Sequence, residues 1–465
     1  MKSENLLSGF DGHVQELVKK FEPLPHDEIL ASLLTQISKL DFKSLAYPEA
    51  IKFKKKLEKM DDDCEDADEI KKRLEKMKIT AKHHLVLSVE NALKVAEEKR
   101  WGLCKNHDFI YLFNSTFWAN IDKDIFQKFL GEASEKMGVA KFSARYYLFR
   151  EQLYKQFLAT AHLPKPVTDR NKVLINLLNG TFEITPDGNK LRAFEWSDFI
   201  TYQLPFRHES EAKYPIFQEF LDRVLPDKKR QMILAEYLGF VFIKHGSNAI
   251  KEEKALILYG TGANGKSVFF EVVNALLGAE NVSSYSLQSL TNDNGYYRAK
   301  LANKLVNYAS EINTNLEASI FKQLVSGEPV EARLPYGEPF MLTQYAKLIF
   351  NSNELPKDVE HTTAYFRRFL IIPFDVTIPE DEQDKQLHTK IIDSELSGVF
   401  NWILDGLSRL LSQKRFTHCE AVKDAIELYK NQSDSAKMFL QEYDYSKSAN
   451  ESILIKELYI DYRAF

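Results

Sequence analysis

Between Leu30 and about Glu98 apolar residues return at three- and four-residue steps, and Phe53, Leu57, Met60, Cys64, Ala67, Ile70, Leu74 and Met77 form one such series. That spacing lays an apolar stripe along a helix, so the first hundred residues read as helical. Charge runs in blocks beside the stripe, basic from Lys52 to Lys59, acidic from Asp61 to Glu69 and basic again from Lys71 to Lys82, as on solvated helical faces. From Trp101 to about Phe206 aromatic residues crowd together, and the run Val173 to Ile184 predicts two strands joined at an Asn179-Gly180 turn. Ile216 to Phe242 returns to a helical period, and the polar stretch His245 to Lys254 reads as a linker. From Ala255 the pattern changes to short apolar strands alternating with helices, which predicts an α/β unit with a parallel sheet. Past Phe374 helices resume, with Ile391 to Leu411 amphipathic. Four stretches result: a helical 1–100, a helical and mixed 101–250, an α/β core at 251–375 and a helical 376–465.

Composition narrows the class. At 465 residues the chain exceeds what one core usually supports, and with 44% hydrophobic and 28% charged residues it reads as globular. No apolar run approaches the roughly 18 residues needed to span a bilayer, and the N-terminus shows no secretory h-region. A cytoplasmic protein without membrane contact is expected. Cys64, Cys104 and Cys419 are too few and too far apart for a disulfide framework or a four-ligand zinc site, and Cys104 with His107 has no second pair. The acidic run Asp61, Asp62, Asp63 reads as a solvated face. A net charge of −5 does not suit a protein coated in phosphate contacts, so nucleic-acid binding would have to be local, as in a channel.

The α/β stretch carries the chemistry. Ala255 to Tyr259 is strand-like and runs into Gly260-Thr-Gly262-Ala-Asn264-Gly265-Lys266-Ser267, after which Val268 to Leu277 is helical. A glycine-rich loop between strand and helix lets backbone N–H groups curl around phosphates at the positive end of the helix. Lys266 would reach the β- and γ-phosphates and the Ser267 hydroxyl would ligate Mg²⁺, so ATP and Mg²⁺ are the expected cofactors. Hydrolysis also needs a carboxylate at the end of a neighbouring strand, and Leu305 to Ala309 breaks at Ser310 and Glu311. A third strand, Ala346 to Phe350, ends in Asn351-Ser-Asn353-Glu-Leu-Pro356, where an amide can hydrogen-bond a phosphate and the attacking water. Arg367 and Arg368 precede a fourth apolar run ending at Phe374, and arginine suits bidentate bridging of phosphate oxygens across a subunit boundary. A small-molecule kinase would share the P-loop but not this set.

In that order, these elements resemble superfamily 3 helicases, the primase-helicases of phages, satellite elements, plasmids and poxviruses. Their motor reads as GxGxNGKS, a strand ending in SE, a lysine-containing stretch with SGE or SGD, a strand ending in NxLP, and RR before IPF. Here those motifs fall at Gly260 to Ser267, Ser310-Glu311, Lys322 to Glu328, Asn353 to Pro356 and Arg367-Arg368. The resemblance implies an AAA+-type core with Glu311 as the acid, Asn353 as the sensor and Arg368 or Arg367 as a finger reaching the adjacent subunit of a homo-hexamer. It covers the chain from about Trp101 and leaves the first hundred residues aside.

The resemblance further implies an ATP-dependent helicase on single-stranded or forked DNA, serving replication of a phage, plasmid or other mobile element alongside other replication proteins. A hairpin over Glu331 to Met341, turning at Tyr336-Gly337, would project into the ring channel, with Lys322, Arg333 and Tyr336 as candidate DNA contacts. Only Arg333 is basic near its tip, which keeps open a second reading, an ATP-switched assembly or loading factor without processive unwinding. Nothing in the first hundred residues resembles a polymerase site, so priming is not expected, and Ser433 to Phe465 resembles the start of a winged helix that stops short.

Overall fold

A computed structural model describes residues 26–60, 65–99, 101–106, 109–161, 165–167, 169–310, 312, 317–335, 337–356, 360–446, 448 and 452–464. The chain packs as two compact units, one of residues 1–168 with 194–201, the other of 169–193 with 202–465. The four consecutive stretches read from the sequence are therefore regrouped. The helices before residue 100 share a core with the mixed region after it, whereas the hairpin at 173–192 belongs with the α/β core.

In the first unit the apolar stripe forms as expected but on two helices, Pro48–Leu57 and Glu65–Lys76, with Ala67 buried and its other described members half-buried. Cys64 and the acidic run Asp61, Asp62, Asp63 lie outside the described residues. Ala81–Glu98 (α1) is opened by a capping box, Thr80 accepting from the His83 N–H while the His83 side chain accepts from the Thr80 N–H. It packs with Lys123–Met137 (α2) and Tyr147–Thr160 (α3) around Val89, Phe126, Phe129, Leu153 and Phe157. The strands Leu103–Asn106 (β1), Phe109–Phe113 (β2) and Trp118–Asn120 (β3) form an antiparallel meander. Its turn is held by Asn114, whose Oδ1 accepts from the N–H groups of Thr116 and Phe117. Cys104 is fully buried in this sheet, and desolvation raises its thiol to about 12. His107 lies outside the described residues.

The second unit opens with an antiparallel sheet of Val173–Leu177 (β4), Gly180–Thr185 (β5) and Gly188–Arg192 (β6). The expected hairpin is there, one residue earlier than the Asn-Gly signal suggests: Leu177 pairs with Gly180, so Leu178 and Asn179 make the turn. The helical pattern from Ile216 to Phe242 resolves into Pro215–Val224 (α4) and Lys228–Phe240 (α5), parted at Leu225-Pro226, with Asp227 capping the second helix. Next come Ala255–Tyr259 (β7), Lys266–Leu277 (α6), Val282–Ser283 (β8), Val306–Ala309 (β9), Ala318–Ser326 (α7), Val330–Arg333 (β10), Pro339–Leu342 (β11), Lys347–Ser352 (β12) and Phe369–Pro373 (β13). Leu387–Gln413 (α8) and Glu420–Gln432 (α9) follow, then the shorter helices Ser435–Glu442 and Ile455–Ala464.

Five strands form one parallel sheet in the order β13-β7-β12-β9-β8. Their residues are apolar without alternation because both faces of a parallel sheet are covered, and β9 and β12 are buried along their whole length. The α/β class expected from the sequence is thus observed. Phe350, Phe369, Tyr365 and Tyr429 lie in its main core cluster. The charges that folding buries are satisfied: fully buried Glu236 on α5 pairs with Arg409 of α8 at 2.7 Å and accepts from the Thr417 N–H. No described helix is long and apolar enough to cross a membrane.

Candidate nucleotide site at the strand ends

Because the sheet is parallel, β7, β9, β12 and β13 all finish at one edge. The loop Gly260–Gly265 leaves β7 there and is stitched to its neighbours: the Gly260 N–H donates to Ser352 O (3.1 Å), the Phe374 N–H to Tyr259 O (2.7 Å), and Asn264 Nδ2 to Phe374 O (3.1 Å). This closeness explains Gly260, since a Cβ at that position would sit 2.4 Å from Phe374 O. Gly265 starts α6 at φ +86, packed so closely on Phe220 and Val224 of α4 that a Cβ would meet them at 2.9 and 2.7 Å. Helix α4 is held by Glu395 of α8, buried, whose two carboxylate oxygens accept from the Ile216 and Phe217 N–H groups at 2.9 and 2.8 Å. A buried carboxylate thus caps the helix that backs the loop.

Lys266 folds its ammonium back into the loop, donating to Gly260 O (2.6 Å), Thr261 O (3.0 Å) and Asn264 Oδ1 (3.0 Å). It is 7% exposed, and desolvation lowers its pKa. Ser267, one residue on, is exposed on the first turn of α6, as are Thr261, Gly262 and Ala263 in the loop. The sequence-expected loop residues Gly260, Gly262, Asn264, Gly265, Lys266 and Ser267 are therefore one structure, with backbone and hydroxyl open and the lysine poised inside.

Strand β12 lies between β7 and β9, so Asn353, exposed just beyond its last residue Ser352, sits next to the start of the loop. Asn351, two residues earlier in the same motif but not the residue assigned as the sensor, is buried, and its Oδ1 accepts from the Tyr308 hydroxyl of β9 at 3.0 Å. Polar residues within an otherwise apolar strand were the available signal. Glu311 lies outside the described residues. Its neighbour Ser310 is exposed at the end of β9.

The two arginines stand elsewhere. They precede β13, whereas the loop follows β7, so about 16 Å of strand at roughly 3.3 Å per residue separates them from their own chain's loop. Arg368 is 8% exposed and fully engaged: Nη2 and Nε donate to Ser326 Oγ at 2.9 and 3.2 Å, Nη1 donates to Ala364 O, and Glu253 lies 3.4 Å away. Arg367 also pairs with Glu253, at 3.0 Å, yet its side chain is 58% exposed. The hairpin β10–β11 forms as expected, with Arg333 opposite Pro339. Arg333 is exposed but its Nε donates to Gly337 O across the hairpin (2.8 Å), and Tyr336 lies outside the described residues. Lys322 is on α7, not at the hairpin tip, and pairs with Glu360 at 2.8 Å, which lowers the pKa of that carboxylate.

Comparison with known proteins matches residues 78–226 to the family described as D5 N terminal like, and residues 258–368, which contain the loop, β9, β12 and both arginines, to a family of unknown function, DUF5906. A protein of Acanthamoeba polyphaga mimivirus described as a "putative helicase" is 27% identical over 223 residues, 44% of this chain and 22% of that protein. The D5-type match and the mimivirus relative support a likeness to the phage and viral primase-helicases. The chain spans about a fifth of the length of that mimivirus relative. Among solved structures, an apo form of the NrS-1 C-terminal region aligns with a TM-score of 0.46 at 16% identity over 77% of this chain and 82% of that one. An A-form apo structure of the same region gives 0.45 at 15% identity over 75% and 76%.

Proposed function

We propose that this chain is an ATP-dependent, ring-forming DNA helicase whose motor is an AAA+-type core, translocating on single-stranded DNA during replication of a phage, plasmid or other mobile element. The observation that carries the reading is the loop itself. Its lysine is held inside by three oxygens that a phosphate can replace, its serine hydroxyl is open for Mg²⁺, and its neighbouring strands end beside it. In this reading ATP binds with its phosphates on the N–H groups of residues 260–267. Lys266 turns to the β- and γ-phosphates, Ser267 and Glu311 hold Mg²⁺, and Asn353 senses the γ-phosphate. Of the two arginines, Arg367 acts as the finger: it is exposed, and it is too far along β13 to reach its own loop, so it serves a neighbouring copy of the chain.

A second reading, an ATP-switched assembly or loading factor, draws support from the hairpin. Lys322 is spent on Glu360 and Arg333 on its own hairpin, so the candidate DNA contacts carry little free positive charge. ATP-dependent separation of a forked duplex, with single-strand-stimulated hydrolysis followed in parallel and Lys266→Ala as control, decides between them. Unwinding that disappears in the variant supports the helicase; stimulated hydrolysis without strand separation supports the loading factor.

A further inference from the structure

The first unit bears a feature that the motor does not use. Residues 136–150 contain Lys136, Lys141, Arg145 and Arg150 and not one carboxylate, in a chain whose net charge is −5. The same segment turns aromatic rings outward: Phe142 is 88% exposed, Tyr147 67% and Tyr146 52%. Burial was available to them, since Phe149, in the next turn, goes into the core at 7%. Beside Tyr147, between α2 and the start of α3, lies a cleft of ≈ 460 Å³ that Lys123, Lys128 and Arg150 also line. Asp124 and Glu151 line it too, but Glu151 is paired with Lys155 at 2.8 Å. Arg145 is turned to Glu135 at 2.9 Å and Lys128 reaches Glu132 only at 4.0 Å, so the positive charge least committed to carboxylates rests on Lys123 and Arg150.

We propose that this cleft and the ring-bearing segment beside it form a binding surface for single-stranded nucleic acid, separate from the motor. Exposed rings offer stacking faces to unpaired bases, and flanking cations meet the phosphates between them. A duplex would keep its bases stacked away from the rings. A protein partner would prefer an interface centre depleted of charge, whereas here cations alternate with the rings along the segment. The size of the cleft falls in the range of small-molecule sites, enough for one nucleotide unit.

The test is fluorescence anisotropy of a labelled oligothymidylate of about 20 nucleotides with the full chain and no ATP. Replacing both rings, Tyr146→Ala with Tyr147→Ala, is expected to weaken binding roughly tenfold, while Tyr146→Phe with Tyr147→Phe retains it. Lys123→Gln with Lys128→Gln is expected to lower the salt dependence by about one to two ion equivalents. A duplex of equal length should bind without sensitivity to the rings. These side chains are half to two-thirds exposed, and an unchanged basal ATPase and melting curve would report an intact fold. Ring-dependent binding would persist even in a chain that separates no strands, so this outcome is independent of the motor reading. Unchanged affinity and salt dependence in both variants would overturn the proposal, as would ring removal that alters sedimentation, the mark of contact with a second copy, while oligothymidylate affinity stays as it was.

Discussion

The two edges of the five-stranded parallel sheet use the same residue types in opposite ways. At the edge where strands end, Lys266 is held only by loop oxygens and the groups around it are open. At the edge where strands begin, Arg368 and Lys347 are buried, the first satisfied by Ser326, Ala364 and Glu253, the second placed 3.1 Å from His245 Nδ1 and over the Phe240 ring. Arg367 breaks that pattern, remaining mostly exposed. Lys266 at the first edge is kept exchangeable, because a ligand must be able to take it, whereas Arg230, at the end of β13, is committed to Pro373 O and Asp375. Arg368 and Lys347 at the second edge are committed, because they fix the strands and the helix before the hairpin.

Lys266→Ala should break the first edge completely. With its ammonium gone, ATP hydrolysis is expected to fall to background and nucleotide binding to weaken sharply, while the melting temperature stays near that of the parent, since the lysine holds only its own loop. Phosphate release and labelled-ATP binding measure the two effects. A variant that still hydrolyses would remove the loop from the mechanism.

The arginine pair gives the sharpest contrast. Arg367→Ala is expected to cost about a thousandfold in hydrolysis yet under about 1 kcal/mol in stability, as an exposed ion pair. Mixing it with Lys266→Ala chains should restore part of the activity, because each supplies what the other lacks. Arg368→Ala should do the reverse, costing about 2–3 kcal/mol by leaving Ser326 unpaired and Glu253 with one partner, with hydrolysis falling only as the folded fraction falls. Denaturant titration beside steady-state ATPase separates the two. If Arg368→Ala abolished turnover in a fully folded protein, the assignment would be reversed.

How far the sequence could be read follows from the same contrast. The loop, the strands β7, β9, β12 and β13 and the hairpin β10–β11 were legible because each depends on a local pattern: apolar runs, a glycine spacing, a break at Ser310. The choice between Arg367 and Arg368 was not, since it depends on which guanidinium meets Ser326, forty-two residues away in sequence. Glu395 capping α4, and α4 packing on Gly265, were equally hidden, being contacts between distant segments. The grouping of 173–192 with the second unit was obscured by the aromatic density shared with the region before it. The hairpin turn at Leu178-Asn179 shifted because Asn179 does its work sideways, its amide donating to His208 O and accepting from the His208 N–H.

The smallest effect on hydrolysis is expected at the buried edge, which pH tests through stability. Burial pushes Lys347 from 10.5 down to about 7, and burial likewise holds His245 well below its ordinary value. The imidazole is then neutral, with Nε2–H donating to Tyr345 O and Nδ1 accepting from the lysine. Between about 7 and 10.5 the unfolded chain carries a proton on this lysine that the folded chain lacks. Stability should therefore rise with pH across that window, by up to about 1.4 kcal/mol per unit for one proton, and level off below it as the folded lysine protonates. Lys347→Met keeps an unbranched chain of similar reach in the same space without the titration. It should flatten the slope and gain stability near neutral pH while leaving ATP hydrolysis at the far edge unchanged. Denaturant titrations across that pH window measure this, and a slope that survives the substitution would move its origin to another group.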